Sequence, residues 1–316
     1  MKNFLKIFPI TTFSVVIGLI GVSLATDMAQ NVFQFQFWVN RVWLGIGYCT
    51  FALVLILYIL KLILQFGAVK DELKAKGSLN YLSLISISFM LVSQGFRTFS
   101  AKLALILVFI GTFLQLIFFL IAVSNLFRKE DSDIDNFDSS FIFLSTGNLL
   151  IPVFAHQIFP VYIEWFFFST GVLFFFVGTI ITIYKAIKSK SNKDILPKSL
   201  MNLLGSSSLA SLSFFQLTGQ RNPTVLFFYC IGFFLFLLIL FIIDFLFKFK
   251  FDISVWLYTF SFSIFLISSF FLSGVWNFLK WFGLGILIID NLAILALLIM
   301  TLIRLIDGKL FFNEEK

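Results

Sequence analysis

Apolar residues run along this chain in ten blocks of 18 to 28 residues, separated by short polar breaks. The blocks are 9–26, 39–66, 79–97, 102–127, 139–156, 162–187, 199–218, 224–247, 253–273 and 280–306. Each is long enough, as a helix, to cross a hydrocarbon core of roughly 30 Å. Lipid offers no partner to an unpaired backbone group, and the alternating pattern of a β-barrel is missing, so the blocks predict helices. The expected fold is an all-α membrane protein with ten transmembrane helices in a single transmembrane domain, residues 1–316.

The blocks are of two kinds. Ser and Thr number 27 in the 96 residues of the odd blocks and 9 in the 131 residues of the even ones, a roughly fourfold difference in density. Hydroxyls gain nothing from facing lipid, whereas Leu, Ile and Phe do. The alternation predicts five helical hairpins, with odd helices inside around a central pore and even helices outside. An inverted pair of five-helix halves would map the first helix onto the sixth, an odd block onto an even one. Ser206, Ser207, Ser208, Ser211 and Ser213 keep the seventh block hydroxyl-rich, so the alternation does not break at mid-chain. Close helix packing without any conduit is a second reading of the same hydroxyls.

Composition agrees, with 60% hydrophobic residues and a mean hydropathy of +1.03, beyond the range of a soluble domain. Of 23 Lys and Arg, 18 fall at the termini and in alternate breaks, and 5 (Arg41, Arg97, Lys102, Arg221 and Lys280) on the opposite side. The positive-inside rule then places both termini in the cytoplasm. The net charge of +7 follows from that topology and calls for no nucleic-acid partner. On the outer side the five bases face only Asp27 and Glu164, an excess that draws anions. Lys2 and Lys6 before an apolar run ending in Ser23-Leu24-Ala25 also fit a cleaved signal peptide. The hydroxyls of that run match the other odd blocks, so a retained first span is expected.

Enzymatic chemistry has little to work with. The chain has one His, two Cys and no Gly-rich phosphate loop, so no catalytic residue, metal site or cofactor is expected. Cys49 and Cys230 fall inside the second and eighth blocks as packing residues. His156, at the outer end of the fifth block, reads either as a pH sensor or as a hydrogen-bonding residue of the interface. Asp290 is the one acid near a block centre, and either couples protons or bonds an inner-helix hydroxyl. Asp244 is close enough to a block end to reach the interface, and the long polar breaks 128–138 and 185–198 read as solvated loops. A hydroxyl-lined path without fixed charge suits passive conduction, because the ion must be able to leave.

Short strings in order along the chain carry a resemblance. They are Pro9 with Phe13, Gly18-Leu19 and Ser23-Leu24-Ala25; Met90-Leu91-Val92; Ile110-Gly111-Thr112 with Gln115-Leu116; Trp256 through Ser261; and Gly308 to Phe312. With them the chain resembles the tellurite-resistance/dicarboxylate transporter family. The resemblance implies a multi-pass protein of a bacterial inner membrane, a homotrimer in the lipid bilayer, and conduction of small inorganic or organic anions through a neutral pore in each protomer. It also implies a phenylalanine on the ninth helix that occludes the pore, here Phe260. Helical spacing alone does not select Phe260, which falls outside the arc of the ninth-helix hydroxyls. Thr12, Ser86, Ser145, Ser207 and Ser261, one from each odd block, are the candidate pore-lining hydroxyls. Family members often kink their inner helices with proline; Val16, Ser86, Leu144 and Ser207 stand at or near those places, and Pro152 is left to kink the fifth helix. A passive anion channel or uniporter is the leading expectation. A proton-linked C4-dicarboxylate or tellurite-related carrier using Asp290 and His156 is the alternative, and a membrane scaffold without a conduit is a third.

Overall fold

The computed structural model describes residues 2–35, 38–75, 77–97, 99–128, 139–188, 195–242 and 251–311. Asp244, Phe312 and the breaks at 129–138 and 189–194 lie outside them. Every regular element among the described residues is helical: α1 (Lys2–Ile7), α2 (Phe13–Phe33), α3 (Val39–Leu64), α4 (Phe66–Lys74), α5 (Ser83–Phe96), α6 (Ala101–Arg128), α7 (Ile142–Phe154), α8 (Val161–Lys188), α9 (Ile195–Thr218), α10 (Pro223–Phe241), α11 (Trp256–Leu272) and α12 (Phe278–Ile306). Four hydroxyl-rich helices open with a short 3₁₀ turn, at Ile10–Thr12, Ser78–Leu82, Ser139–Phe141 and Ile253–Val255. Tightened first turns of this kind satisfy amides that an α-helical start leaves orphaned. At the last of them Asp252 takes a hydrogen bond from the Ser254 hydroxyl at 2.8 Å.

Boundaries differ from expectation where local chemistry decides them. The first span continues past Thr26 to Phe33 and stops where Gln34 turns left-handed at φ 58°. The second stops at Leu64, because Gln65 leaves the helical region at φ −139° and ψ 42°. There a separate helix, α4, starts at Phe66 and carries Lys70, Asp71, Glu72 and Lys74. Helices run unbroken through Val16, Ser86, Leu144 and Ser207, as the loss of proline there allows. Pro152 sits inside α7, which ends two residues later.

Among the described residues, eight helical stretches are long and apolar enough to cross a membrane. The remaining two expected spans are α7, apolar but only 13 residues long, and the serine-rich α9 of 24 residues. The two kinds of helix differ in burial as their composition predicts. In the hydroxyl-rich stretches 10–33, 78–96 and 253–272, 67 to 83% of the most apolar window is buried, whereas in α3, α6, α8, α10 and α12 it is 22 to 39%. Each of those five carries instead a single buried stripe, such as Trp43, Gly47, Phe51, Val54, Tyr58 and Lys61 on α3. Cys49 and Cys230 lie off these stripes and are exposed, so they are not the packing residues expected of them.

The chain divides into two compact units, one of residues Met1–Ala75 with Lys250–Lys316 (the terminal unit) and one of Lys76–Phe249 (the central unit). In the terminal unit α2 packs on α3, α11 on α12, and α2 on α11. Within the central unit α5 packs on α6, α7 on α8, α9 on α10, and α7 also touches α5 and α9. A glycine on the oily helix marks the closest approach in four of these pairs. A Cβ on Gly47 would lie 2.7 Å from Ile20, on Gly111 2.8 Å from Met90, on Gly171 2.7 Å from Leu149, and on Gly283 2.9 Å from Phe270. Such distances are shorter than van der Waals contact, so the partner side chain fills the space a larger residue would need.

Candidate functional site

Small residues bring α2 and α11 together. A Cβ on Gly18 would lie 2.6 Å from the Thr259 hydroxyl oxygen and 2.9 Å from the Trp256 carbonyl. One turn on, Gly21 faces the Phe260 ring, whose Cδ2 would be 3.1 Å from such a Cβ, and Ser263, whose Cβ would be 3.4 Å away. Phe260 is thus buried against Gly21, with 3% of its surface exposed. A polar pin joins α2 to the turn that opens α11, and a second ties the first residue of α11 to α12. Ser14 donates to the Ile253 carbonyl at 2.9 Å, and Trp256 Nε1 donates to the Thr301 hydroxyl of α12 at 3.0 Å.

The five candidate pore-lining hydroxyls are all buried, and they divide by what they bond. Thr12, Ser207 and Ser261 turn back on their own helical segments, donating to Pro9 O at 2.7 Å, Leu204 O at 3.0 Å and Leu257 O at 3.2 Å. A hydroxyl bonded only within its own turn can be re-aimed by rotation about Cβ–Oγ without breaking a link between helices. Ser145 instead joins helices, and Ser86 does both, also bonding Ser83 O of its own helix at 2.8 Å. Ser145 donates to Gly171 O of α8 at 2.8 Å, and Ser86 lies 2.5 Å from Gln115 Oε1 of α6. Other serines do the same work: Ser211 donates to Val225 O at 2.9 Å, Thr146 and Ser206 share a hydrogen bond of 2.8 Å, and Ser213 donates to Leu149 O. Ser83 and Ser268 are fully buried, and their hydroxyls have no hydrogen-bond partner among the described residues. Ser268 stands seven residues after Ser261, nearly two turns, and so on the same face of α11.

Gln115 belongs to a buried polar chain that the sequence reading did not assemble. Its Nε2 donates to Asn148 Oδ1 of α7 at 3.0 Å, and Asn148 Nδ2 donates to the Thr170 hydroxyl of α8 at 3.0 Å. Four helices of the central unit, α5 to α8, are thereby linked by one neutral network. Ser86, Gln115 and Asn148 have no exposed surface. The Gln115 carboxamide lies flat over Gly147, where a Cβ would come within 2.4 Å of three of its atoms. Two carboxamides inside otherwise apolar spans were the available signal, since an amide in lipid needs a partner.

Asp290 is 3% exposed, and its Oδ2 accepts from the Ser263 hydroxyl at 2.8 Å. The expected bond to an inner-helix hydroxyl is therefore present. Its neighbour Asn291 accepts from Trp43 Nε1 at 2.8 Å and donates to Leu287 O at 2.9 Å, tying α12 to α3 at the same turn. His156 is also engaged, its Nδ1 lying 2.9 Å from Oε2 of the buried Glu164. The Gln157 amide donates to the other oxygen of Glu164 at 3.3 Å, and Arg97 donates to Phe154 O at 3.1 Å. At the far end of α3, Lys61 pairs with Glu72 of α4 at 2.6 Å and donates to Phe8 O at 2.7 Å. Glu72 in turn accepts from the Ile10 amide at 2.7 Å, capping the start of the α2 segment.

Long apolar helices, a hydroxyl-rich buried set and a mostly charge-free interior define a multi-pass membrane protein. The family model for the SLAC1-type voltage-dependent anion channel matches residues 7–302, and the chain belongs to that family. A curated relative, the tellurite resistance protein TehA homolog of Haemophilus influenzae (strain ATCC 51907 / DSM 11121 / KW20 / Rd), is 30% identical over 128 residues. The matched region is 40% of this chain and 39% of that protein, so the alignment spans well under half of each.

Proposed function

We propose that the chain is a passive pathway for small anions in a bacterial inner membrane, with both termini in the cytoplasm. In this reading ten spans form five hairpins. Helices α2, α5, α7, α9 and α11 line a neutral path, α3, α6, α8, α10 and α12 face lipid, and Phe260 occludes the path near mid-membrane. Three such protomers form the homotrimer. The observation that carries the reading is the joint asymmetry of chemistry and burial: the buried helices are the hydroxyl-rich ones, and the exposed helices are the oily ones. Membership of an anion-channel family supports it. Thr12, Ser207 and Ser261, whose hydroxyls bond only their own helical segments, are the donors best able to replace part of an anion's hydration. Ser83 and Ser268, buried without a partner among the described residues, extend that set.

The proton-linked carrier reading draws on Asp290 and His156. Both are committed inside the protein, Asp290 to Ser263 and His156 to Glu164, which favours the passive reading. Planar-bilayer recordings with asymmetric salts separate the two. The expected reversal potential follows chloride or nitrate, and one that follows the cation, or that shifts with a pH gradient, overturns the passive reading. Phe260→Ala is expected to raise the conductance, and an unchanged conductance removes Phe260 from the role of constriction.

A further inference from the structure

We propose that Asp290 is the positioning residue for Phe260, acting through Ser263, and that this pair sets how tightly the constriction closes. The proposal rests on the reading of Phe260 as that constriction. Phe260 and Ser263 are one turn apart on α11 and lean on the same residue, Gly21 of α2. Three residues place their side chains about 60° apart around the axis, so any roll of α11 that moves one moves the other. Gly21 offers no side chain to resist such a roll. The Ser14–Ile253 and Trp256–Thr301 bonds hold the start of α11; at the turn of Phe260 what resists a roll is the hydrogen bond from Ser263 to Asp290, both ends of which are buried.

Asp290 is itself a fixed point. The Asn291 bond to Trp43 anchors this turn of α12 to α3, so the carboxyl group cannot follow α11 if it rotates. The geometry also explains the direction of the Ser263 hydroxyl. Bonded to Asp290, it is turned toward α12, and the Phe260 ring keeps its seat on Gly21. Losing the bond leaves a buried hydroxyl seeking another acceptor and frees α11 to rotate. The only titratable side chain on α11 is Tyr258, and on α2 Asp27, which accepts from Asn40 at 3.1 Å. On α3, Lys61 is held by Glu72 and Arg41 stacks over Trp38 at 5.0 Å. The proposal requires no change of charge at Asp290; an acceptor in the right place is sufficient.

The test records chloride currents from the 316-residue chain in planar bilayers. Ser263→Ala and Asp290→Ala are each expected to raise the conductance about fivefold, the shift that one lost hydrogen bond produces at tenfold per 1.4 kcal/mol. Asp290→Asn keeps an acceptor for Ser263 and is expected to stay near the wild-type conductance. On a Phe260→Ala background, Asp290→Ala is expected to add nothing. Wild-type conductance in both alanine variants, or the same increase with and without Phe260, overturns the proposal. Ser263→Ala removes one buried oxygen, and so reads out even if Asp290→Ala does not assemble. If Phe260→Ala alone leaves the current unchanged, the constriction reading fails; if it raises the current and neither partner does, only the positioning role fails.

Discussion

The two units join hydroxyl-rich helices to oily ones with different chemistry. In the central unit the mid-span link is neutral, running from Ser86 through the Gln115 and Asn148 carboxamides to Thr170. In the terminal unit the mid-helix link is an acid meeting one hydroxyl, Asp290 with Ser263, and a second link, in the last turn of α3, is the Lys61–Glu72 ion pair. A carboxamide both donates and accepts, so amides extend a chain across several helices. The Asp290 carboxyl is met by the Ser263 hydroxyl, and its link ends there. The central unit is therefore built for mutual rigidity, and the terminal unit for a contact that one substitution releases.

Breaking the ion pair should have the largest effect on stability. Lys61→Met leaves Glu72 without its cation beside the buried α2 start and is expected to cost about 3 to 5 kcal/mol. A lower thermal midpoint in detergent measures this, and adding Glu72→Gln should recover part of it. A full loss persisting in the double variant would show that the pair matters through packing alone. Next comes the neutral chain. Gly147→Ala pushes a Cβ into the Gln115 carboxamide and is expected to cost about 2 to 3 kcal/mol through overpacking and unpaired buried amides. An unchanged midpoint there would mean that Gln115 finds equal partners elsewhere.

Exchanging the two chemistries sharpens the comparison further. Gln115→Glu removes the donor that Asn148 Oδ1 accepts and adds a buried charge, at a cost of about 1 to 3 kcal/mol. Asp290→Asn leaves Ser263 its acceptor and should fall within about 1 kcal/mol of wild type. Equal losses in the two variants would erase the distinction between the two units. The smallest effect belongs to Gly45→Ala on the exposed face of α3. A Cβ there meets nothing within 4 Å, and the change should stay within about 0.5 kcal/mol. The same substitution two residues on, at Gly47, strikes Ile20 and should exceed it.

Much of this was legible in the pattern of residues. The alternation of hydroxyl-rich and oily blocks anticipated which helices are buried, because burial and Ser/Thr density answer to the same cost of exposing polar groups to lipid. The partner of Asp290 was also legible in kind, as a hydroxyl of an inner helix, although not that it is Ser263. The α4 helix was hidden: the apolar run through Phe66 looked continuous, and the break is a single backbone conformation at Gln65. The polar chain escaped because Gln115 and Asn148 are 33 residues apart and meet only when α6 lies across α7. His156 looked solitary for the same reason, with Glu164 brought to it by the turn between α7 and α8. The contact glycines were visible as letters, yet their role depends on which side chain lies opposite each of them. For Phe260, spacing pointed away from the hydroxyl arc, and its place on Gly21 appears only in three dimensions.

The terminal unit is assembled from both ends of the chain, which makes time a property of its fold. The Ser14 hydroxyl ends on the Ile253 carbonyl, 239 residues downstream. At about 5 to 20 residues per second, roughly 10 to 50 s of synthesis separate the appearance of α2 from that of its partner α11. Throughout that interval Gly18, Gly21 and Ser14 present an unfilled face, and the whole central unit is made before it is covered. The membrane insertion machinery or a chaperone must shield that face, or the nascent chain must tolerate it. The α11–α12 pair is what completes the α2–α3 pair made long before it.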